Sequence, residues 1–326
     1  MSFDIKIIEL RKQKERGLEA SELILEFSGK DVNDIVINTL RRLSYDYIPS
    51  YSFCTDTINI EQNNSIFNND YMRLRISQMQ IPNINHNMTY LPSKYWKNVK
   101  YYSKNRPIFP KDKLKYEIQL RITNTTSDVL NVTTNHIAFY KNDKQIYPID
   151  KKYPHLILQL RPKEQFICNA HAVLGLGKND NIWSAINKCY FDKTGQNKYK
   201  FHILSSGQLD EYDILHKACV ILKEKLIEIK NIISSKYPTS SNGKIIIINL
   251  DNEDHTTGAI INDILQNRKD IQYSGLAKED LLKDEITIKY ITSNKNPIKP
   301  FFEALDHAAN MFTYVDKLIK KIGKIK

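Results

Sequence analysis

The segment FFEALDHAANMFTYVDKLIKKI, residues 301–322, decides the fold. Its apolar residues recur at alternating spacings of four and three, the a and d pattern of a helix that packs along another helix. Such a face needs a partner, so the chain must supply a second long helix. The apolar stripe consists of Phe301, Leu305, Ala308, Phe312, Val315, Ile319 and Ile322.

The second long helix is predicted over residues 209–237, where one apolar face runs along an otherwise charged sequence. The polar run PTSSNG, residues 238–243, follows it and has the composition of a linker. After this linker the patterns predict a strand over 244–250, a helix over 254–268, a strand over 285–291 and the helix that carries the stripe. The apolar face of the first long helix consists of Leu215, Ala218, Leu222, Leu226, Ile229 and Ile233.

The start of the chain follows a similar plan. A charged turn is predicted over 11–17 and a strand over 22–27, and Asp31 is expected to cap a helix that Pro49 stops. Residues 50–171 hold short β-like segments, and no helix is predicted there. We therefore predict an α+β chain whose two similar modules pair about a pseudo-two-fold axis. Its predicted parts are a discontinuous first module over 1–49 and 173–237, a β-rich inserted domain over 50–172, a linker over 238–243 and a second module over 244–326.

Composition narrows the classes of partner. The 48 basic and 37 acidic side chains give a net charge of +11, which favours anionic partners such as nucleic acid, a membrane surface or an acidic protein. No apolar run approaches the roughly 18 residues that cross a bilayer, and the first residues lack the apolar core of a secretory signal. The four cysteines contain no C-x-x-C pair. These features predict an intracellular protein with reduced thiols and no membrane partner.

The sequence shows no recognisable catalytic set. No Ser-His-Asp or Cys-His arrangement stands out, and the eight histidines lack metal-ligand spacing. The densest polar cluster, residues 251–256, reads DNEDHT. Its carboxylates could hold a divalent metal for hydrolysis with His255 as the base, or they could cap the following helix. The second interpretation needs no chemistry, and we predict no catalytic residue, no cofactor and no metal.

Two basic segments remain. The adjacent Arg41 and Arg42 diverge by about 100° around their helix, so one of them either meets a partner or extends over apolar neighbours. Residues 94–115 hold eight basic groups and one acid among aromatic rings, a composition that suits single-stranded nucleic acid and equally a protein-docking loop. The candidate docking residues of this loop are Lys94, Lys97, Lys100, Lys104 and Arg106.

Several separated segments resemble a known family in the right order. Residues 38–42, NTLRR, followed by Ile48-Pro49, resemble the N-x-L-R-R…P signature of the alpha-like assembly subunits of DNA-directed RNA polymerase: the bacterial alpha protein, the D-type protein of archaea and the eukaryotic third-largest subunit. Residues 174–178, LGLGK, with Trp183-Ser184 resemble the segment that closes the inserted domain in that family. Residues 201–207, FHILSSG, are similar to its F-x-V-E-S-x-G strand.

The second module carries its own resemblance. Residues 253–258, EDHTTG, and then 272–275, QYSG, resemble the E-D-H-T-x-G…F-x-G-Y pattern of the L-type polymerase protein of archaea and its eukaryotic counterpart. A D-like half fused to an L-like half is an arrangement of giant cytoplasmic DNA viruses. This resemblance implies a protein of the host cytoplasm, at the viral factory, with the virion as a further place to look for it.

The resemblance also implies a role and a set of site residues. The chain would be a non-catalytic assembly platform that binds the largest and second-largest polymerase subunits, together with small subunits, and it would meet DNA and RNA only through the complex. Two departures from the family are visible: residues 178–183 read KNDNIW where relatives have K-E-H-A-K-W, and the insert offers only two cysteines, too few for zinc or an iron-sulfur cluster. The implied partner-subunit contacts are Asn38, Arg41, Arg42, Lys178, Trp183, Glu253, Asp254, His255 and Thr256. The predicted dimerisation seam comprises Leu40, Leu215, Leu222, Leu226, Ile229, Ile264, Phe301, Leu305, Phe312, Val315 and Ile319.

Overall fold

The structure is a computed structural model that describes residues 3–14, 21–81, 84, 88–101, 103, 107–149, 151–236, 245–280 and 283–324. Within them the helices are α1 (Asp34–Asp46), α2 (Asn69–Ser77), α3 (Glu211–Lys236), α4 (His255–Gln266) and α5 (Lys299–Gly323). The strands are β1 (Lys6–Lys14), β2 (Ser21–Ser28), β3 (Pro49–Ser52), β4 (Ile58–Asn63), β5 (Tyr116–Thr123), β6 (Leu130–Thr133), β7 (Ala138–Lys141), β8 (Lys144–Ile146), β9 (Leu156–Leu160), β10 (Gln165–His171), β11 (Val173–Leu176), β12 (Ile186–Gly195), β13 (Lys198–Ser205), β14 (Ile245–Asp251), β15 (Ile271–Ala277) and β16 (Glu285–Thr292). The mixture of helices and antiparallel sheets confirms the predicted α+β composition.

The first sheet joins strands from both sides of the insert. Its order is β1-β2-β13-β12, all antiparallel. Leu23, Leu25 and Phe27 alternate along β2 on the buried face, and Phe201 and Ile203 of β13 lie beside them, as the two-residue period of a half-buried strand requires. Helices α1 and α3 contact this sheet, and sheet and helices together belong to the first half of the chain (residues 3–236).

The second sheet has the order β14-β16-β15. Alternate residues of the central strand, Ile286, Ile288 and Tyr290, are fully buried, and helix α4 covers β15 and β16. Strand β15 was not predicted, because its sequence IQYSGLA includes a glycine and only a weak alternation. This sheet with α4 and α5 forms the second half of the chain (residues 245–324).

Four helices form a layer that contains elements of both halves. Helix α3 packs on α1 and α5, and α4 packs on α1 and α5. Helices α3 and α5 run antiparallel, since His216 Nδ1 lies 2.6 Å from Asp316 Oδ1 and Lys230 Nζ lies 2.6 Å from Asp306 Oδ1. The predicted seam residues are buried except for Ile264, which is half-buried against the same core. The buried seam residues are Leu40, Leu215, Leu222, Leu226, Ile229, Phe301, Leu305, Phe312, Val315 and Ile319.

The insert contains a five-stranded sheet of order β4-β10-β5-β7-β8 and the ribbon β6-β9, and the ribbon β3-β11 lies at its border with the first module. The insert also contains α2, so the prediction of no helix in this region was wrong. Asn68 caps α2, because its Oδ1 accepts a hydrogen bond from the Tyr71 backbone N–H at 2.8 Å. Only Met72, Ile76 and Ser77 of the helix are buried, which leaves too short an apolar stripe for recognition from sequence.

Two expectations at the start of the chain were also wrong. Strand β1 continues through Lys14, so residues 11–14 of the predicted charged turn are strand, and residues 15–17 lie outside the described residues. The cap of α1 is Asn33, whose Oδ1 accepts from the Val36 N–H at 2.9 Å. Asp31 instead accepts a hydrogen bond from the Asp4 N–H at 2.7 Å, which ties the chain start to the α1 entry. The predicted linker over 238–243 lies outside the described residues.

Among the helices of the described residues, none is both long enough and apolar enough to cross a lipid bilayer.

Candidate functional site

Five polar side chains from four distant segments meet at one buried place, which we name the charge cluster. Tyr47 follows the end of α1, Lys178 follows β11, and Lys225 lies in the middle of α3. Glu253 and Asp254 connect β14 to α4. The first three belong to the first half and the two acids to the second, so the cluster joins the halves.

The hydrogen bonds of the charge cluster form two groups, Tyr47 with Lys178 and Asp254, and Lys225 with Glu253. The Tyr47 hydroxyl donates to Asp254 Oδ2 at 3.0 Å and accepts from Lys178 Nζ at 2.7 Å. Lys178 Nζ also lies 3.2 Å from Asp254 Oδ2. Lys225 Nζ donates to Glu253 Oε2 at 2.7 Å, and both of these side chains are almost fully buried. Each buried charge therefore has an opposite charge as its partner, which is the condition for tolerating it.

The electrostatics follow from burial and from the two lysines. Burial alone would raise the pKa of Asp254, but the ammonium groups of Lys178 and Lys225 and the hydrogen bond from Thr256 hold it well below its usual range. Burial, followed by the nearby Asp254 and Glu253 carboxylates, raises the pKa of Tyr47. The Lys225 and Lys178 ammonium groups lie 4.3 and 5.0 Å from the centre of the Tyr47 ring, a cation–π geometry. Tyr47 thus stays neutral while Asp254 stays ionised.

The same geometry bears on the two interpretations of residues 251–256. Asp254 is the N-cap of α4, because its Oδ1 accepts from the Thr256 N–H at 2.9 Å. Glu253 and Asp254 already face lysine ammonium groups, which occupy the side where a divalent cation would have to bind. Over the described residues, no group of three or more His, Cys, Asp or Glu side chains could hold a metal ion. The arrangement suits the capping interpretation; His255 is exposed beside it and Thr256 is buried.

The two arginines of α1 have different surroundings. Arg41 donates from Nε and Nη2 to Oδ1 of the exposed Asn38, at 3.0 and 2.9 Å. Arg42 forms an ion pair with Asp46 at 3.0 Å, and its Nε is buried without a hydrogen-bond partner in the described part of the chain. The Asn38–Arg41 pair is therefore held in place by its own helix and remains on the surface, where another protein can contact it.

Trp183 is 2% exposed and belongs to a small apolar cluster with Cys54, Tyr101 and Val173, separate from the main core. Its indole Nε1 donates to the Val173 carbonyl at 3.0 Å, and its ring packs against Tyr101 with the ring centres 4.8 Å apart. Gly175 lies directly under the indole, since a Cβ there would come within 2.4 Å of the ring. A partner subunit that contacts this segment would use the exposed neighbours of Trp183.

The basic loop is partly engaged within the chain. Lys97 Nζ donates to Asn252 Oδ1 at 2.8 Å and forms an ion pair with Asp284 at 2.9 Å, so this lysine connects the insert to the second half. Trp96 and Tyr101 are buried, which removes two of the rings expected to stack on bases. Lys94 and Lys100 are exposed. Lys104 and Arg106 lie outside the described residues.

Sequence reasoning missed that part of the insert lies along α3. Gln208 Nε2 donates to the Ile81 carbonyl at 3.3 Å, and Lys217 Nζ donates to the Met88 carbonyl at 2.7 Å. Further along, the Tyr90 hydroxyl donates to Glu228 at 2.6 Å. Burial lowers the pKa of Lys217 to about 8. Lys217 lies on the same helix face as Ile214 and Ile221, which are fully buried. A lysine between two apolar positions was the available signal, because such a lysine needs a buried acceptor.

Comparisons with known proteins extend these findings. No protein-family model matches the chain. A curated protein of Acanthamoeba polyphaga mimivirus, named "Putative DNA directed RNA polymerase subunit R470", is 28% identical over 349 aligned residues. The alignment covers 99% of this chain and 94% of that protein. The similarity to a protein named as an RNA polymerase subunit of a giant virus therefore extends over both whole chains and is not limited to one motif.

Proposed function

We propose that this chain is a non-catalytic subunit of a giant-virus DNA-directed RNA polymerase. Its two halves would form an alpha-type heterodimer within one polypeptide, and this platform would bind the largest and second-largest subunits. The polymerase part of the proposal is supported by the end-to-end similarity to the mimivirus protein. The platform part is supported by the geometry of the helices and of the charge cluster.

One observation carries the platform proposal. Three of the segments that carry the family resemblance meet at the charge cluster. Two of them lie in the first module, and the third is the L-like segment of the second module. Tyr47 directly precedes the Ile48-Pro49 pair, Lys178 ends the LGLGK segment, and Glu253-Asp254 opens the EDHTTG segment. Motifs that are distant in sequence but touch in space are expected when they maintain one shared contact, here the contact between halves.

The helical seam supports the same proposal energetically. The facing residues of α3 and α5, such as Leu222 and Phe312, are fully buried. Burying one such side chain contributes about 1.5–3 kcal/mol, so the seam favours contact between the halves. The proposal assigns the polymerase chemistry to the large subunits, and places this protein with them in the host cytoplasm.

The experiment is a purification of the tagged full chain from its native source. We expect the two largest polymerase subunits to accompany it in stoichiometric amounts. A charge reversal, Arg41→Glu, should weaken recovery of the second-largest subunit, because Arg41 is held at the surface by Asn38. The matched control is Arg121→Glu, which changes an exposed arginine of the insert.

Two results would count against the proposal. Absence of large polymerase subunits from the purified material would refute membership of the complex. Equal recovery with Arg41→Glu and Arg121→Glu would refute the role of Arg41. Steeply salt-dependent binding of the isolated chain to single-stranded oligonucleotides would instead favour the nucleic-acid hypothesis for residues 94–115.

A further inference from the structure

The insert contains a large apolar groove that the proposed platform role does not use, which we name the insert groove. Its volume is about 680 Å³, within the range of about 300–1,000 Å³ that ligand pockets occupy. Ile118, Leu120 and Cys168 of the insert sheet form its buried floor. Helix α2 forms one wall and strand β9 contributes to the other.

The rim of the insert groove carries exposed apolar side chains as well as the exposed polar residues Arg75, Gln78, Gln80, His155 and Asn187. Leu74 of α2 is 53% exposed, Leu156 of β9 is 50% exposed and Tyr71 of α2 is 41% exposed. Contiguous apolar surface around a concave site is typical of a protein interaction site. A small molecule bound at the floor would leave Leu74 and Leu156 in water, whereas a polypeptide segment would cover floor and rim together.

The insert groove carries a positive charge and no negative charge among its described lining residues. Arg75 is the one lysine or arginine among its lining residues in the described chain, and no carboxylate lines it. The Arg75 guanidinium donates to the Ile157 carbonyl at 2.9 Å and to the Leu156 carbonyl at 3.2 Å. Both acceptors are neutral, so the positive charge has no acidic partner within the part of the chain that the structure describes.

These bonds also limit how a partner can bind. The carbonyls of Leu156 and Ile157 belong to β9, which pairs with β6. Because Arg75 already occupies these carbonyls, an incoming chain would not add to β9 there as a further strand, the mode that exposed edges otherwise allow. The partner would have to enter through its side chains.

We propose that the insert groove binds a segment of another polypeptide of the polymerase, whose apolar side chains fill the groove and whose Asp or Glu pairs with Arg75. This inference rests on the proposed function, since it takes the partner from the same complex. It goes further by assigning a second docking surface, on the insert and separate from the charge cluster, with its own chemical preference.

The test measures accessibility of the rim. Leu74→Cys is introduced into the tagged full chain, and the rate of its reaction with a maleimide is measured in the isolated chain and in the purified polymerase. We expect the reaction to be slowed about tenfold or more in the complex, which corresponds to a groove that is occupied at least about nine-tenths of the time. Tyr147→Cys, exposed on the same insert outside the groove, is the matched control and should react at similar rates in both samples.

A photo-crosslinking residue at position 156 then identifies the occupant. We expect a cross-linked peptide from another polymerase subunit that contains apolar residues and at least one acid. Unchanged labelling of Leu74→Cys in an intact complex would overturn this inference and leave the proposed function standing, as would a cross-linked peptide without an acid. Failure to recover any polymerase polypeptide would instead refute the proposed function, and this inference with it.

Discussion

The Lys225–Glu253 pair provides the sharpest test of how the two halves are held together. The substitution Glu253→Gln keeps the side-chain shape and removes the counter-charge of a lysine whose side chain is 5% exposed. Breaking one partner of a buried ion pair costs about 3–5 kcal/mol. The Tyr47 ring, 4.3 Å from Lys225 Nζ, retains about 1 kcal/mol of cation–π attraction. We therefore expect a loss near the lower end, about 3 kcal/mol.

The assay is urea denaturation of the full chain at neutral pH, followed by tryptophan fluorescence. Trp96 is a suitable reporter, because it lines the same cavity as Lys225 and Glu253, which has a volume of about 190 Å³. Lys225→Met and the double variant complete a mutant cycle, and we expect a coupling energy of at least about 1.5 kcal/mol between these contacting residues.

An exposed ion pair between the long helices α3 and α5 supplies the control. Asp306→Asn breaks the contact with Lys230, whose side chain is 39% exposed while that of Asp306 is 56% exposed. Exposed pairs contribute about 0–1 kcal/mol, so this variant should unfold almost like the parent. If Glu253→Gln cost no more than Asp306→Asn and the cycle showed no coupling, the argument that buried charges connect the halves would be refuted.

Three further predictions concern the seam, the cap and the tryptophan. Phe312→Asp puts a carboxylate at a fully buried position, so we expect a loss above about 4 kcal/mol, and an unchanged melting temperature would contradict the seam. The pKa of Asp254 in the folded chain is depressed, so its ionised form stabilises the fold at pH values above its unfolded pKa of about 4. This contribution to the free energy of unfolding should disappear as the pH falls below that value. If an Asp254→Asn variant lost stability with falling pH in the same way as the parent, the prediction would be wrong. Gly175→Ala places a methyl group 2.4 Å from the Trp183 ring, so we expect the free energy of unfolding to fall by about 1–3 kcal/mol, as measured by thermal unfolding. A variant as stable as the parent would contradict the close contact.

The sequence was most informative where one physical pattern dominated. Helices α3 and α5 were predicted almost to their ends, because a long run of apolar residues at helical spacing matches no other regular secondary structure. It was least informative for short elements. The apolar face of α2 is too short to be distinguished from a loop, and the β15 segment contains Gly275 and the exposed Tyr273.

The sequence allowed several residues of the candidate site to be named, but not the residues that they contact. Lys178, Glu253 and Asp254 were singled out by resemblance, yet Tyr47 and Asp254 are separated by 207 positions, and no local rule pairs them. Tyr47 was not among the predicted site residues, although it directly precedes the Ile48-Pro49 pair. The contact of Lys97 with Asp284 was equally invisible, because a lysine in a basic loop is by composition more typical of a solvated face.

Because α3 and α5 belong to one polypeptide, their contact forms with different kinetics from a contact between separate chains. Separate chains with the same apolar faces would associate in a bimolecular reaction. An excess of either chain would leave its apolar helix face exposed to water. Here the two faces find each other in a unimolecular step whose rate does not change on dilution. The gene therefore fixes an equal supply of both faces, and no orphan half needs to be stored or degraded.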